Sequence, residues 1–473
     1  MGIFRLIQPR FLYPYIMKRT SVSLILAVGA LFLGASALRA DSPAPRTLAQ
    51  ALVDQAIGEN PNMMVLGMHA IAPGTKDSAI IASNIGRIGK KDDDDDLDAF
   101  RKNSPVFEPV KEKHRYEVLI PMRQKDGKPI GVMGMVFHWN GEDEGLFLAT
   151  ATRIRDGMQA KIPSLDALFN AADDSFALLT PTSEVKIPDS KGKFDFLEVD
   201  SVNNRLLASH EKDGTSDYID LGTRQLITRL KIGTAVHAVL DPALGKYFVS
   251  CCDDQTVVIV DAASLKQTGA IKMGGDLDAI ILDPKNHRLY SANDEGTHIW
   301  EIDPVTEKVT GDIAIPGAPE YMVYDAATDR IYLNLKPASE MVVIDPAALK
   351  VVAHWTTPFS PHGLALDPVT GRLFSAGLKG QLGVIDTKTG NTIATVQIPE
   401  MVDQIAFDPA TRRVYCACAN VMGVVQETDT GAVLLGTVKT AATAKNVAVD
   451  PKTHEVWTTF TDGKDSYAKS WRP

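Results

Sequence analysis

The C-terminal two-thirds of the chain repeats one pattern of apolar and polar positions every 41 or 42 residues. In each repeat a short apolar tract ends at an aspartate, which is often followed by proline. A basic residue lies five positions later in six repeats, and a large apolar residue lies seven positions later in all of them. The seven aspartates are Asp200, Asp241, Asp283, Asp325, Asp367, Asp408 and Asp450. A fixed period of this length is typical of stacked supersecondary units.

Each repeat reads as four short strands joined by tight turns. In the fifth repeat, turns such as Asp-Pro-Val-Thr-Gly and Asp-Thr-Lys-Thr-Gly combine an aspartate that bonds its own backbone with a glycine. The strands predicted there are His362–Leu366, Arg372–Ala376, Gln381–Ile385 and Thr392–Ile398. Units of four strands and about 40 residues predict the blades of a β-propeller, and the absence of a 3.6-residue apolar period argues against an α-solenoid.

The seventh repeat ends at Pro473 before a fourth strand can form. Residues 182–188, just before the first repeat, match the fourth strand of other repeats, such as residues 309–316. We therefore expect this N-terminal strand to complete the last blade and close the ring. The predicted fold is mainly β: a seven-bladed β-propeller over residues 180–473, preceded by a small α+β domain.

The repeat resembles a known family of exported propellers. Ile344-Asp345-Pro346 and Pro361-His-Gly-Leu-Ala-Leu-Asp-Pro368 are similar to the repeats of YVTN/YncE-like proteins. This resemblance implies the fold of residues 180–473. It leaves the activity open, because relatives include surface proteins, binding proteins and propellers fused to enzymes, and the same ring also carries lactonases.

Candidate site residues lie five positions before each repeat aspartate, where the innermost strand of a blade begins at one mouth of the channel. The residues are Asp195, Val236, Asp278, Glu320, His362, Asp403 and Lys445. Carboxylates suit a hard divalent cation such as Ca²⁺, the candidate cofactor, and a histidine beside them suits a transition metal. The predicted metal ligands are Asp195, Asp278, Glu320, His362 and Asp403. A cationic small ligand would also fit, and solvated loop residues are the plain alternative.

No catalytic residue is assigned. His362 beside Asp403 or Glu320 is the best available pair, since these residues belong to neighbouring blades. Metal-dependent lactonase propellers use acidic and Asn residues around such a channel, so the resemblance implies a lactonase-like hydrolase as the alternative function. Neither G-x-S-x-G nor H-E-x-x-H supports an enzyme.

Residues 41–175 lack the repeat and predict a separate α+β domain. We expect helices at 47–58, from Asp92 to Phe100 and at 146–161, strands at 63–71 and 79–84, and a hairpin of 116–122 with 130–137. The hairpin with Lys128-Pro-Ile-Gly-Val resembles PDC/Cache-type sensor domains over residues 46–161. That resemblance implies a small-ligand pocket, for which Arg115, Tyr116 and His138 are candidates. The alternative is that these three are surface or core residues.

Two further groups of residues could bind metal but are interpreted structurally. The run Asp92–Asp96 lacks the alternating pattern of a calcium loop, so we expect a solvated helix start, with Lys90 and Lys91 partly compensating its charge. The pairs Cys251/Cys252 and Cys416/Cys418 fall in second strands of non-adjacent blades. They are interpreted as buried small residues, with a vicinal disulfide as the weaker alternative.

Charge and the N-terminus indicate where the protein acts. The formal net charge is −10, and the first 40 residues contribute five basic and no acidic side chains. So acidic a chain disfavours nucleic-acid binding. A basic start at Met17, an apolar run at 22–33 and small residues at 34–37 predict a signal peptide within residues 1–40, and hence a periplasmic or secreted protein without another membrane span.

These observations favour an exported, non-catalytic binding protein. The N-terminal domain would sense a small ligand, and the propeller would recognise a small molecule or a protein partner. The alternatives are the hydrolase and a structural platform of the cell envelope.

Overall fold

The computed structural model describes residues 46–473, apart from residues 61, 124–126, 174–175 and 337. The described residues belong to one compact unit. The predicted signal peptide lies outside them. No helix in the described part of the chain has both the length and the apolar character needed to cross a bilayer.

The N-terminal part is a five-stranded antiparallel sheet with three helices, in the strand order β2-β1-β5-β4-β3. Its elements are α1 (Leu48–Glu59), β1 (Met63–Ile71), β2 (Ser78–Ser83), α2 (Asp94–Lys102), β3 (Val106–Val110), β4 (Arg115–Arg123), β5 (Pro129–His138) and α3 (Glu144–Gln159). The predicted helices, strands and hairpin are confirmed to within about two residues at most ends. Strand β3, at the sheet edge, was not predicted.

Helix α1 begins where its sequence provides a cap. The Thr47 hydroxyl accepts a hydrogen bond from the backbone N–H of Gln50, so one of the unpaired donors of the first turn is satisfied. The apolar side of the helix, which includes Leu52 and Ile57, is fully buried. Burial of this face stabilises the helix more than its intrinsic propensity does.

The repeats form seven four-stranded antiparallel sheets within the described residues. The strand that precedes them is β6 (Thr180–Ile187). The first three sheets contain β7 (Leu197–Asp200), β8 (Arg205–His210), β9 (Thr215–Asp220) and β10 (Gln225–Lys231); β11 (Ala235–Asp241), β12 (Lys246–Cys251), β13 (Thr256–Asp261) and β14 (Lys266–Lys272); β15 (Leu277–Asp283), β16 (Arg288–Asn293), β17 (His298–Asp303) and β18 (Lys308–Ala314).

The next four sheets follow the same order. They contain β19 (Ala318–Asp325), β20 (Arg330–Lys336), β21 (Glu340–Asp345) and β22 (Lys350–Thr356); β23 (Pro361–Asp367), β24 (Arg372–Gly377), β25 (Gln381–Asp386) and β26 (Thr392–Gln397); β27 (Ile405–Asp408), β28 (Arg413–Cys418), β29 (Val421–Thr428) and β30 (Gly431–Lys439); and β31 (Asn446–Val449), β32 (Val456–Asp462) and β33 (Asp465–Arg472). The last sheet takes β6 as its fourth strand, because β6 pairs with β33.

The sheets are arranged as a ring. The first strand of each sheet contacts the first strand of the next, and β31 contacts β7, so the contacts return to the start. The predicted pairing of the N-terminal strand with the last repeat is present, because β6 pairs with β33.

The repeat aspartates shape the turn between the first two strands of every sheet. All seven are buried, and each accepts a hydrogen bond from the backbone N–H two residues later. In six sheets the aspartate also lies opposite the basic residue five positions later, as Asp283 does with Arg288. The period in the sequence is thus the period of a buried turn.

The N-terminal part packs directly on the ring. Leu52 of α1 and Leu435 of β30 belong to one apolar cluster, which also includes Tyr415 and Met422 of the sixth sheet. Beside it, Arg46 Nε lies 2.8 Å from Asp54 Oδ2, and the Asp54 side chain is only 1% exposed. The shared core implies that the two parts of the chain stabilise each other.

Candidate functional site

All seven predicted rim positions line one cavity, whose volume is about 330 Å³. Asp278, Glu320 and His362 lie near the starts of β15, β19 and β23, whereas Asp195 and Asp403 lie just before β7 and β27. The five predicted metal ligands are therefore brought together. They share a cavity because equivalent positions of neighbouring sheets converge at the centre of a ring.

A second set of cavity residues was missed by the sequence analysis. These residues lie eleven positions after the repeat aspartates, just after or at the end of the second strands: Glu211, Cys252, Asp294, Lys336 and Leu378. The constant spacing from the repeat aspartates marks these residues too, but the prediction used only the position five residues before each aspartate. With both sets, the cavity holds six carboxylates, three lysines and His362.

Two lysines are held by carboxylates within the cavity. Lys336 Nζ lies 2.7 Å from Glu320 Oε2 and 3.4 Å from Asp294 Oδ1. Lys193 Nζ lies 3.2 Å from Glu211 Oε2 and 3.7 Å from Asp195 Oδ2. These pairs neutralise part of the negative charge at two places along the wall.

Two other carboxylates, those of Asp278 and Asp403, have no basic side-chain nitrogen within 4 Å among the described residues. Burial, reinforced by Glu320 and Asp195, raises the pKa of Asp278 well above its usual value, although Lys336 opposes the shift. Burial also raises the pKa of Asp195 to about 7; Lys193 opposes this shift, and Asp403 and Glu211 add to it. The side chains of the cavity therefore carry more negative charge than its lysines offset.

This charge predicts a dependence of stability on pH. The pKa of Asp195 in the folded state, about 7, lies above the unfolded value of about 4. Its contribution to stability is thus fully present below about pH 4 and is lost as the pH rises through about 7. Relative to wild type, Asp195→Asn should gain about 1–2 kcal/mol between pH 5 and pH 8, a figure reduced for screening by solvent in the cavity.

Urea unfolding of wild type and Asp195→Asn at both pH values measures this effect. Asp303→Asn, in an outer turn of the third sheet, is the control and should show no such relative gain. An Asp195→Asn variant whose stability relative to wild type is the same at both pH values would contradict the raised pKa.

Part of the cavity wall is apolar. Leu378, Met401 and Val402 come from the loops of the fifth and sixth sheets, and the backbone N–H of Met401 donates to the carbonyl of Leu378. Met401 is half exposed. The cavity wall therefore combines carboxylates, most of which come from the first four sheets, with apolar side chains.

The predicted metal ligands do not form a compact metal site in this state. Among the residues that the structure describes, no three His, Cys, Asp or Glu ligand atoms at the cavity lie within 4.8 Å of one another. His362 Nε2 is 3.8 Å from Glu320 Oε1, and its Nδ1–H donates to the carbonyl of Ser360. Glu320 Oε2 is already paired with Lys336, so a metal beside His362 would share Glu320 with the lysine.

The three predicted ligand residues of the N-terminal part do not share a cavity with one another. Tyr116 is fully buried and stacks on Phe147, with ring centroids 4.8 Å apart. Arg115, the first residue of β4, and His138, the last residue of β5, are cross-strand partners. None of the three lines the two cavities beside α3, whose volumes are about 650 and 110 Å³. Tyr116 could contact a ligand only after moving out of the core.

The cysteines are free thiols, as the favoured interpretation requires. Cys251, Cys416 and Cys418 are buried, and burial raises the pKa of Cys251 and of Cys418 to about 12. Cys252 differs from this interpretation, because it is half-buried and lines the cavity. Burial and nearby aspartates raise its pKa to about 12 as well, so the thiol is a poor nucleophile at neutral pH.

The aspartate run is a helix start, but the expectation of full solvation was wrong. Asp93 is the N-cap of α2 and forms a reciprocal capping box with Asp96, while Asp94 and Asp95 are exposed. The side chains of Asp92 and Asp96 are instead buried beside His69, with exposures of 2% and 9%. Lys91 does not compensate them, because its Nζ pairs with Asp77 at 2.6 Å.

Comparison with solved structures agrees with the ring of sheets. A chain of Kuenenia stuttgartiensis hydrazine synthase matches with a TM-score of 0.50 at 13% identity, covering 57% of this chain and 92% of that one. A chain of a mitotic checkpoint complex matches with a TM-score of 0.54 at 13% identity, covering 62% and 92%. These likenesses show a β-propeller fold and no chemistry. No family model and no curated protein matches the chain.

Proposed function

We propose that this chain is an exported, non-catalytic binding protein whose propeller recognises a small organic cation with an apolar part. The observation that carries the proposal is this mixed cavity, in which buried and half-buried carboxylates share the wall with apolar side chains. A volume of about 330 Å³ lies in the range of small-molecule sites.

Charge favours an amine over a neutral or anionic ligand. Asp278 and Asp403 lack an ion pair within 4 Å in the described residues, and the raised pKa of Asp278 reflects the cost of ionising it there. An ammonium group beside Asp278 would offset by attraction the repulsion that Glu320 and Asp195 exert on its carboxylate. Binding should then release protons and strengthen as the pH rises from 6 to 8.

The finer assignment of the fold belongs to the same proposal. The seven four-stranded sheets and the β6–β33 pairing support a seven-bladed ring of the YVTN/YncE-like kind. The antiparallel sheet with the β4–β5 hairpin supports a PDC/Cache-type domain in front of it, for which small-ligand sensing is proposed. A periplasmic or secreted location follows from the predicted signal peptide.

The cavity proposal is tested with a charged probe and its neutral analogue. We expect phenethylamine to raise the unfolding midpoint of the chain at pH 8, since a ligand that binds only the folded state must stabilise it. Phenethyl alcohol, which has the same apolar part without the charge, should have little effect. Calorimetry with phenethylamine should show at least tenfold weaker binding to Asp278→Asn and to Asp403→Asn.

Asp303→Asn, in a turn of the same sheet as Asp278 but outside the cavity, should bind like wild type. Equal effects of the amine and the alcohol would refute recognition by charge. A shift caused by Ca²⁺ or Zn²⁺ that disappears in Asp278→Asn would favour the metal-dependent hydrolase instead.

A further inference from the structure

A second polar cluster connects β1 with the start of α2 in the N-terminal sheet. His69 Nδ1 lies 2.8 Å from Asp92 Oδ1 and 3.6 Å from Asp96 Oδ2. One ligand atom from each residue lies within 4.8 Å of the other two, and no other three His, Cys, Asp or Glu residues of the described chain meet this condition. The cluster is separate from the propeller cavity, whose lining residues do not include it.

The cluster buries two carboxylates and only one side chain that can carry a positive charge, His69. Their exposures are 10% for His69, 2% for Asp92 and 9% for Asp96. A protonated His69 would compensate only one of the two buried carboxylates, and a divalent cation would compensate both.

The backbone holds the ligand groups in place before any cation arrives. The register between β1 and β2 shifts between Met68 and His69. The backbone N–H of Asp92 donates to the carbonyl of Ser78, and the capping box fixes Asp96. On the other side of the imidazole, Gly67 leaves room, since a Cβ there would lie 3.2 Å from His69 Nε2.

We propose that His69, Asp92 and Asp96 bind a divalent transition metal of the Zn²⁺ class, with water completing its coordination. One imidazole nitrogen and two carboxylate oxygens form a donor set that suits such metals. Ligand atoms about 2.0–2.1 Å from a tetrahedral ion lie about 3.3 Å apart, between the two distances that separate His69 Nδ1 from the carboxylates. Ca²⁺ fits less well because it takes six to eight oxygen ligands.

A metal here would cross-link the first turn of α2 to the middle of the sheet. The segment between β2 and α2 would then be fixed by the ion as well as by its backbone hydrogen bonds. Because little of the three ligand side chains is exposed, we expect the ion to stabilise this part of the fold.

Direct metal binding by the full chain tests the proposal. After chelator treatment and dialysis, we expect one equivalent of Co²⁺ to bind with a visible absorption spectrum, and Zn²⁺ to displace it. H69Q and D96N should each weaken Co²⁺ binding at least tenfold. D95N is the matched control, because Asp95 lies in the same helical turn but is exposed, and it should bind like wild type.

Circular dichroism of each variant separates loss of the site from loss of the fold, and D96N keeps the size of the side chain. Absence of Co²⁺ and Zn²⁺ binding by the folded wild-type chain would overturn the proposal and leave a histidine–aspartate ion pair. Binding that survives in folded H69Q and D96N would also overturn it. Binding that is lost in D278N but not in H69Q would place the metal in the propeller cavity instead.

Discussion

Replacement of Asp283 by alanine is expected to lower the free energy of unfolding by about 3 kcal/mol. The Asp283 side chain is fully buried, and its Oδ1 accepts hydrogen bonds from the backbone N–H groups of Lys285 and Asn286 at 2.9 and 3.1 Å. Its Oδ2 accepts a third from the Asn286 side chain. Alanine would leave these partly buried donors without their acceptor, and an unpaired buried group costs about 1–3 kcal/mol. Urea unfolding measures the change.

The matched control is Asp303→Ala, in the turn between the third and fourth strands of the same sheet. Asp303 makes the same two backbone contacts as Asp283, since its Oδ1 accepts hydrogen bonds from the backbone N–H groups of Val305 and Thr306. This turn is partly open to solvent, so water can replace the carboxylate, and the loss should be clearly smaller. Equal losses for the two variants would show that turn geometry, rather than burial, explains why the aspartate recurs.

The buried turn explains why the fold was predictable while the function was not. The aspartates recur because every sheet needs the same turn, and this requirement is visible in a single sequence. The cavity is built from positions five residues before and eleven residues after them, where the side chain differs from sheet to sheet, as Asp278, His362 and Lys336 show. Stability therefore sets the repeat, whereas recognition uses the positions that depart from it.

Two misses in the N-terminal part have physical causes. Strand β3 has five residues, lies at the sheet edge and contains Pro109, so neither length nor alternation marked it. The contact of His69 with Asp92 depends on the register shift in β1 and on the path of the chain after β2. Neither can be derived from local propensity, although both residues were visible in the sequence.

A second large effect is expected where the N-terminal strand completes the last sheet. Ile187 of β6 is fully buried and belongs to the same apolar cluster as Leu197 of the first sheet and Trp457 of the last. Ile187→Ala should therefore lower the free energy of unfolding by about 3 kcal/mol, through lost burial and the cavity left behind. Thermal and urea unfolding of the full chain measure it.

Ile315 and Glu184 provide the comparison that makes this prediction specific to closure. Ile315 occupies the position that corresponds to Ile187 in the repeat. It follows β18, a fourth strand that is continuous in sequence with the other three strands of its sheet. If β6 is held as firmly as β18, Ile187→Ala and Ile315→Ala should cost similar amounts, and Glu184→Ala, on the exposed side of β6, should cost little. A large loss for Ile315→Ala with none for Ile187→Ala would mean that the last sheet is stable without its N-terminal strand. In that case the ring would be held by the contacts among its innermost strands alone.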